Sequence, residues 1–230
     1  HEDLEIARHH HLYKDQLCFT DGMGLDLKRY HPLSQEARRA ARKKAGYTDA
    51  DVLFVYAAEF SPRKNQALLL RAFASVAKRH PEMKLLLAGT GALEEECKAL
   101  VKSLHMETQI QFYVDRMGEL YPLCDVSVTS SRIEGLPFNV MESMACGLPV
   151  VASDIKGHRE LVLPGKTGFL FPSGDQEALE QQLEAVYQLR GQLDSYRHNA
   201  LLHIQRYRLD RVLPDNIKIY TDVIGRTKKK

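Results

Sequence analysis

The chain has 230 residues, of which 44% are hydrophobic and 27% charged, and a formal net charge of +2. This is length enough for one large or two small domains with a substantial core, and a charge so near balance gives no ground for a nucleic-acid partner. No apolar run approaches membrane-spanning length, and no secretory signal pattern is present.

Cys18, Cys97, Cys124 and Cys146 lie far apart with no C-x-x-C pair, so free buried thiols in a reducing compartment are expected, and no zinc site. The first residue is His1, not Met, as expected for a fragment or a processed chain. In chain order, residues 1–17 read as a polar helix, on which the adjacent His9, His10 and His11 point in different directions and suit one metal ion poorly. Residues 19–32 (FTDGMGLDLKRYHP) are turn-rich, with Gly22 and Gly24 permitting unusual φ. Ser34 to Ala45 reads as a basic helix capped by Ser34, with Glu36 in its first turn and Gly46 closing it. Its RRAARKK run reads as a solvated face, and a peripheral contact with anionic lipid is open to it.

Val52 to Ala58 is a continuous apolar run of strand length, as for a strand covered on both faces. The helix expected over 66–79 puts Leu69, Ala72, Phe73 and Val76 on one side. Lys84 to Ala88 is the next strand, followed by the tight turn Gly89-Thr90-Gly91 and a helix over 93–104. Gln109 to Val114 is a strand ending at Asp115-Arg116, with a short helix over 117–123 after it. Beyond the central unit described next, residues 155–162 read as a turn and short helix, with His158 as a polar loop residue. Gly165 to Phe171 is a last short strand. Its GKT is not a P-loop, because the upstream glycine is missing and a strand, not a helix, follows the turn. Helices are expected over 175–189, capped by Asp175 and with Leu179, Leu183, Val186 and Tyr187 inward, over 195–207, and over 214–224, with Ile217, Tyr220 and Ile224 along one side. The lysines at 228–230 form a basic tail, expected to be disordered.

The chain is organised around SSRIEGLPFNVMESMACGLPVVAS, residues 130–153. A short buried strand precedes it, at Asp125 to Thr129. Pro137 suits the first turn of a helix that Gly147 stops and Pro149 keeps from restarting, and Val150-Val151-Ala152 begins another strand. The stretch therefore reads as a βαβ unit. The N–H groups of Gly135, Leu136 and Phe138 would stand unpaired at the helix start, a ready anion site. Glu134 and Glu142 flank it. A ligand with phosphates in the middle and hydroxyl groups at both ends fits that pattern, and a nucleoside diphosphate sugar has this shape.

EGLPFNVME, followed by ACGLPVVASDIKG, resembles the E-x7-E signature of retaining glycosyltransferases with the GT-B fold, in the large family GT4. The resemblance implies that Glu142 holds the donor's ribose, that Glu134 holds its sugar, and that the amides of Gly135, Leu136 and Phe138 hold the diphosphate. The loop after the first strand, AAEFSPRKNQ, is similar to the family's V-G-R-L-x-x-x-K-G, whose Arg and Lys grip the donor phosphates. Lys64 matches the Lys, but Glu59 stands in place of the Arg. A carboxylate beside a diphosphate is repulsive, so Glu59 must turn away or pair with a cation, for which Arg63 and Arg132 are the candidates; Arg63 also counts among the donor-binding residues. By the same resemblance Gly89 and Gly91 lie beside the nucleotide, the backbone at Tyr113, Val114 and Asp115 meets the base edge, and Gly24 comes near the cleft.

Strands separated by helices imply an α/β fold, a Rossmann-like doubly wound parallel sheet of about six strands, which in GT-B enzymes is the C-terminal, donor-binding domain. The expected division is 1–33, a helix and connector leading from a missing N-terminal acceptor domain; 34–207, the nucleotide-sugar-binding domain; and 208–230, a crossing helix and basic tail. Lys64, the Gly89–Gly91 loop, Val114 and Glu134 all follow strands and should collect on one rim. The implied function is the donor half of a retaining glycosyltransferase, with catalytic Glu134 and Lys64, passing a sugar from a donor, UDP-sugar first, to a glycan or lipid-linked acceptor. Neither metal nor other cofactor is implied, and the implied location is cytoplasmic, at the inner face of a membrane. The alternatives are a nucleotide-sugar epimerase of the same fold and a non-catalytic nucleotide-sugar-binding module.

Overall fold

The computed structural model describes residues 2–11, 18, 20–114 and 117–227. Helix α1 (Glu2–His9) leads to a connector, and α2 (Gln35–Lys44) follows, capped as expected by the Ser34 hydroxyl, which accepts from the Ala37 N–H at 3.2 Å. Six strands come next with their helices between them: β1 (Val52–Ala57), α3 (Gln66–Ala77), β2 (Met83–Ala88), α4 (Glu94–Ser103), β3 (Ile110–Tyr113), α5 (Met117–Leu120) with a 3-10 turn over Tyr121–Leu123, β4 (Val126–Thr129), α6 (Phe138–Ala145), β5 (Val150–Ser153), α7 (Lys156–Arg159) and β6 (Gly168–Phe171). Three helices close the chain: α8 (Gln176–Gln188), α9 (Asp194–Ile204) and α10 (Leu209–Thr227).

Every strand pair is parallel, and the order is β3-β2-β1-β4-β5-β6. Both faces of the sheet are covered, which is why β1 is buried at every residue. Its side chains alternate between two cores. Val52, Phe54 and Tyr56 join a cluster with Leu69, Phe73 and Val76 of α3 and Leu179, Leu183 and Val186 of α8. Leu53, Val55 and Ala57 join one with Val140, Met141 and Met144 of α6 and Ala200 and Ile204 of α9. The sequence periodicity thus identified the inward faces of α3 and α8 correctly.

The ends of the chain are woven onto this body. The Leu25 N–H donates to the Tyr207 carbonyl at 2.7 Å, the Leu209 N–H to the Leu25 carbonyl at 3.0 Å, and Arg206 pairs with Asp21 at 2.6 Å. Helix α10 begins earlier than expected, at Leu209, with Pro214 in its second turn. Its Ile217, Tyr220 and Ile224 share a side, as expected, but are exposed. Cys97, Cys124 and Cys146 are buried, whereas Cys18 is exposed, against expectation. Asp125, just before β4, locks the amino end of the sheet: its carboxylate receives Arg38 at 2.6 Å, Arg42 at 2.5 Å, Arg197 at 3.2 Å and the Leu53 N–H at 2.9 Å. Burial alone would raise the Asp125 pKa, but Arg38 and Arg42 beside it bring it below the usual carboxylate range.

Candidate functional site

The strand order runs outward from β1 through β2 to β3, then returns to β4 on the other side of β1. In open parallel sheets, ligands bind beyond the strand carboxyl ends at this reversal. Here a cleft of about 390 Å³ opens, lined among others by Ala58, Glu59, Gly89, Gly91, Asn139 and Glu142. Gly89 and Gly91 permit the loop after β2 to lie against the loop after β1. A Cβ on Gly91 would stand 2.4 Å from the Phe60 carbonyl oxygen, and one on Gly89 would stand 2.2 Å from that of Ala58.

Glu134 is the hub of the adjoining loops. Its carboxylate pairs with the Lys64 ammonium and, at 3.3 Å, with the Arg63 guanidinium. The Glu134 and Lys64 side chains are only 6% and 10% exposed, so the pair is nearly closed off, while Arg63 is half exposed. The backbone beneath is tied by hydrogen bonds. The Lys64 carbonyl accepts from the Tyr56 hydroxyl at 2.9 Å and the Ser130 hydroxyl at 3.1 Å, Tyr56 also meets the Ser131 hydroxyl at 2.8 Å, and the Arg132 N–H donates to the Arg63 carbonyl at 2.8 Å. Asn65, next in line, caps α3 in the left-handed region at φ 53°, which Asn tolerates better than most residues.

On the far wall Glu142 is half-buried. Burial raises its pKa, while a hydrogen bond from the Tyr30 hydroxyl and the charge of Arg29 oppose the rise. Burial, helped by Glu142, pushes the Tyr30 phenol up to about 12. The buried Tyr121 hydroxyl lines the same cleft and also opposes the rise at Glu142. Between the two acids α6 begins. Pro137 is its cap, with ψ 112°, so the first helical residue is Phe138 and Pro137 does not sit in the first turn. Among the described residues nothing accepts from the N–H groups of Gly135, Leu136 or Phe138. Asn139 is fixed by donating to the Ala57 carbonyl at 2.9 Å.

Lys64, Arg63, Glu134, the α6 start, Glu142, Gly89 and Gly91 thus gather on one rim. Tyr113 ends β3 on that rim, and Val114 follows it. The Tyr113 carbonyl accepts from the Gly89 N–H at 2.9 Å and its hydroxyl meets that of Tyr47 at 2.7 Å, while Val114 is exposed. Asp115 lies outside the described residues, as does the basic tail. Gly24 is elsewhere: with φ 82° it packs against Leu209 of α10, and it is Gly22 that touches Leu136 beside the site.

Of the two courses expected of Glu59, pairing with Arg63 or Arg132 is not seen among the described residues: Glu59 is exposed, and Arg63 is drawn to Glu134. One further expectation is corrected. His158 is not a loop residue but lies on α7, fully buried. Sequence reasoning also missed Tyr30 and Tyr121, which no motif marks, and a D-x-D pair, Asp49 and Asp51. That pair lies at the amino end of β1: Asp51 accepts from the Thr48 N–H at 2.7 Å, and Asp49 meets Arg39 at 3.4 Å. A larger crevice of about 970 Å³ opens on that opposite rim, but its arginines 38, 42 and 197 already converge on Asp125. Among the described residues no group of three His, Cys, Asp or Glu side chains is placed to hold a metal ion, and no helix is long and apolar enough to cross a membrane.

The family described as glycosyl transferases group 1 matches residues 37–202. EpsD of Bacillus subtilis, a glycosyltransferase by name, is 38% identical over 168 residues, covering 72% of this chain and 44% of its own. A GDP-mannose-dependent phosphatidylinositol monomannoside mannosyltransferase of Mycolicibacterium smegmatis is 31% identical over 167 residues, covering 68% and 43%. The chain therefore spans less than half the length of these relatives. Among solved structures, a sucrose-phosphate synthase of Thermosynechococcus elongatus shares the fold with a TM-score of 0.79 at 22% identity, over 88% of this chain and 51% of that one. HepE of Anabaena, solved with UDP-glucose, superposes with a TM-score of 0.76 at 24% identity, over 88% and 56%.

Proposed function

The chain belongs to the glycosyl transferases group 1 family, and from that premise we propose that it is the donor-binding half of a retaining glycosyltransferase that takes a UDP-sugar. One observation carries the reading. Two cations on one acid and a set of unpaired helix N–H groups meet at the reversal point of the sheet, with a second acid eight residues on. In this reading the α6 amides, Lys64 and Arg63 hold the diphosphate, and Arg63 supplies the charge that Glu59 removes. Glu142 accepts from the ribose hydroxyls, Glu134 from the sugar, and the backbone at Tyr113 and Val114 meets the base.

Lys64 and Glu134 hold each other, so the donor must separate them. Its phosphates take over the ammonium and its sugar hydroxyls take over the carboxylate. Positive charge and oriented N–H groups at the leaving diphosphate stabilise the developing charge of bond cleavage without requiring a metal ion. The acceptor, a glycan or lipid-linked molecule at the cytoplasmic face of a membrane, would be held by an N-terminal domain outside this chain. On this reading the chain alone binds nucleotide sugar but transfers sugar poorly.

Glu59 favours a second reading, a nucleotide-sugar-binding module without transfer, because it lines the cleft in place of an Arg and no Lys or Arg lines that cleft with it. A thermal-shift panel of UDP, GDP and ADP, each free and as its glucose or mannose form, tests the proposal. Stabilisation by UDP and its sugar above the others is expected, a GDP-mannose preference would correct the nucleotide, and indifference to all of them would overturn the reading. Joining the chain to its N-terminal half separates transfer from binding alone.

A further inference from the structure

His158 is fully buried at the back of the site. Its Nδ1 lies 2.8 Å from the Ser153 carbonyl, which can only accept, so Nδ1 carries the proton and Nε2 is left as a bare acceptor. That Nε2 is buried and has no partner among the described residues. A buried acceptor without a donor is costly and uncommon. It is also closed to solvent, so a ligand hydroxyl cannot reach it directly and the donor must come from the protein.

Helix α7 is pressed against the hub. Gly157 has no room for a side chain, because a Cβ would stand 2.4 Å from the Gly135 carbonyl oxygen and 2.6 Å from that of Glu134. The Ser153 hydroxyl donates to the Ser131 carbonyl at 2.5 Å, and Ser131 continues through Tyr56 to the Lys64 carbonyl. Burial lowers the His158 pKa, and the charges of Glu134 and Lys64 act on the ring in opposite directions, the first raising and the second lowering it. Lys64 has three N–H donors, and among the described residues only Glu134 accepts from its ammonium.

We propose that His158 is a positioning residue: its Nε2 accepts a hydrogen bond from the Lys64 ammonium once the donor has drawn Glu134 away, and so aims that ammonium at the diphosphate. The inference rests on the proposed function. In the free protein Glu134 orients Lys64. In the bound protein Glu134 serves the ligand, and His158 takes its place as the fixed point.

The test uses the 15N-labelled chain with UDP-glucose, GDP-mannose and ADP-glucose in turn. Long-range proton–nitrogen correlation should show the Nδ1–H form of His158, with its Nε2 resonance moving to a hydrogen-bonded position on saturation with the nucleotide sugar that binds, and staying still in Lys64→Met. His158→Asn keeps an N–H for Ser153 but removes the distal acceptor. It should weaken nucleotide-sugar binding about 10-fold in the parent, from the loss of one charge-assisted hydrogen bond, and less than about twofold in the Lys64→Met background. Nucleotide-sugar binding with an unmoved Nε2, or equal losses in both backgrounds, overturns this inference and leaves the functional reading intact. A parent chain that binds none of the three overturns both. The resonance is read in the parent chain, so it decides the matter even where a variant fails to fold.

Discussion

Replacing Glu134 by Gln should loosen the free protein and yet leave it ready for nucleotide. The carboxylate holds Lys64 in a nearly closed pair and Arg63 in a half-exposed one. A hydrogen bond to a charged group contributes about 1.5–3 kcal/mol, and the exposed Arg63 contact adds between about 0 and 1 kcal/mol. A net loss of about 2 kcal/mol lowers the Tm of a chain of this size by about 4–8 °C. UDP brings the missing negative charge and no longer has to separate an ion pair, so its affinity for the variant should equal or exceed that for the parent by up to about 10-fold. The gain of UDP-sugar over UDP should vanish, because the acid that receives the sugar hydroxyls is gone. Thermal unfolding across a nucleotide titration measures all three quantities. If UDP binds the variant about 10-fold more weakly, Glu134 supports the phosphate site instead of competing for Lys64, and the division of roles is wrong.

Glu142→Gln should weaken UDP about 10- to 100-fold in calorimetric titration. The raised pKa of Glu142 means that the folded state binds its proton more tightly than the unfolded chain, so the stability it lends is present below the unfolded value of about 4.3 and is lost as pH rises through the folded value. Glu142→Gln should therefore raise Tm at pH 7 and match the parent near pH 4, and an equal Tm gain at both pH values would refute this. Gly91→Ala forces a Cβ onto the Phe60 backbone; it should lower Tm and abolish UDP binding, whereas unchanged binding would show that the cleft tolerates the loop's displacement. Asp125→Asn strips a buried charge from three arginines and should cost about 3–5 kcal/mol in urea unfolding. Because the Asp125 pKa is lowered, the parent should lose that stability as pH falls from the unfolded value of about 3.9 through the lower folded value, while the variant does not.

The sheet was legible because β1, β2 and β5 are apolar runs bounded by Gly, Pro and charge, and the inward sides of α3 and α8 because Leu69, Phe73, Leu179 and Leu183 recur at helical spacing. Six parallel strands in the shared fold follow from that pattern. The partners of the candidate groups were not legible, since they depend on which loops meet. Nothing near residue 30 signals that its phenol will reach Glu142. Glu59 and Arg63 are four residues apart, yet the guanidinium goes to Glu134, 71 residues on. His158 looked like a polar residue beside glycine, and only the packing of α7 against the Glu134 and Gly135 carbonyls buries it. The two glycines at 22 and 24 differ in place for the same reason: one meets Leu136, the other α10.

A crystal structure of the chain with UDP-glucose tests the central claim most directly. The account predicts the diphosphate on the N–H groups that open α6, the ribose on Glu142, the glucose on Glu134, and Lys64 moved from that carboxylate to a phosphate oxygen. A nucleotide seated on the opposite rim among Arg38, Arg42 and Arg197, or an intact Lys64–Glu134 pair beside a bound diphosphate, would contradict it.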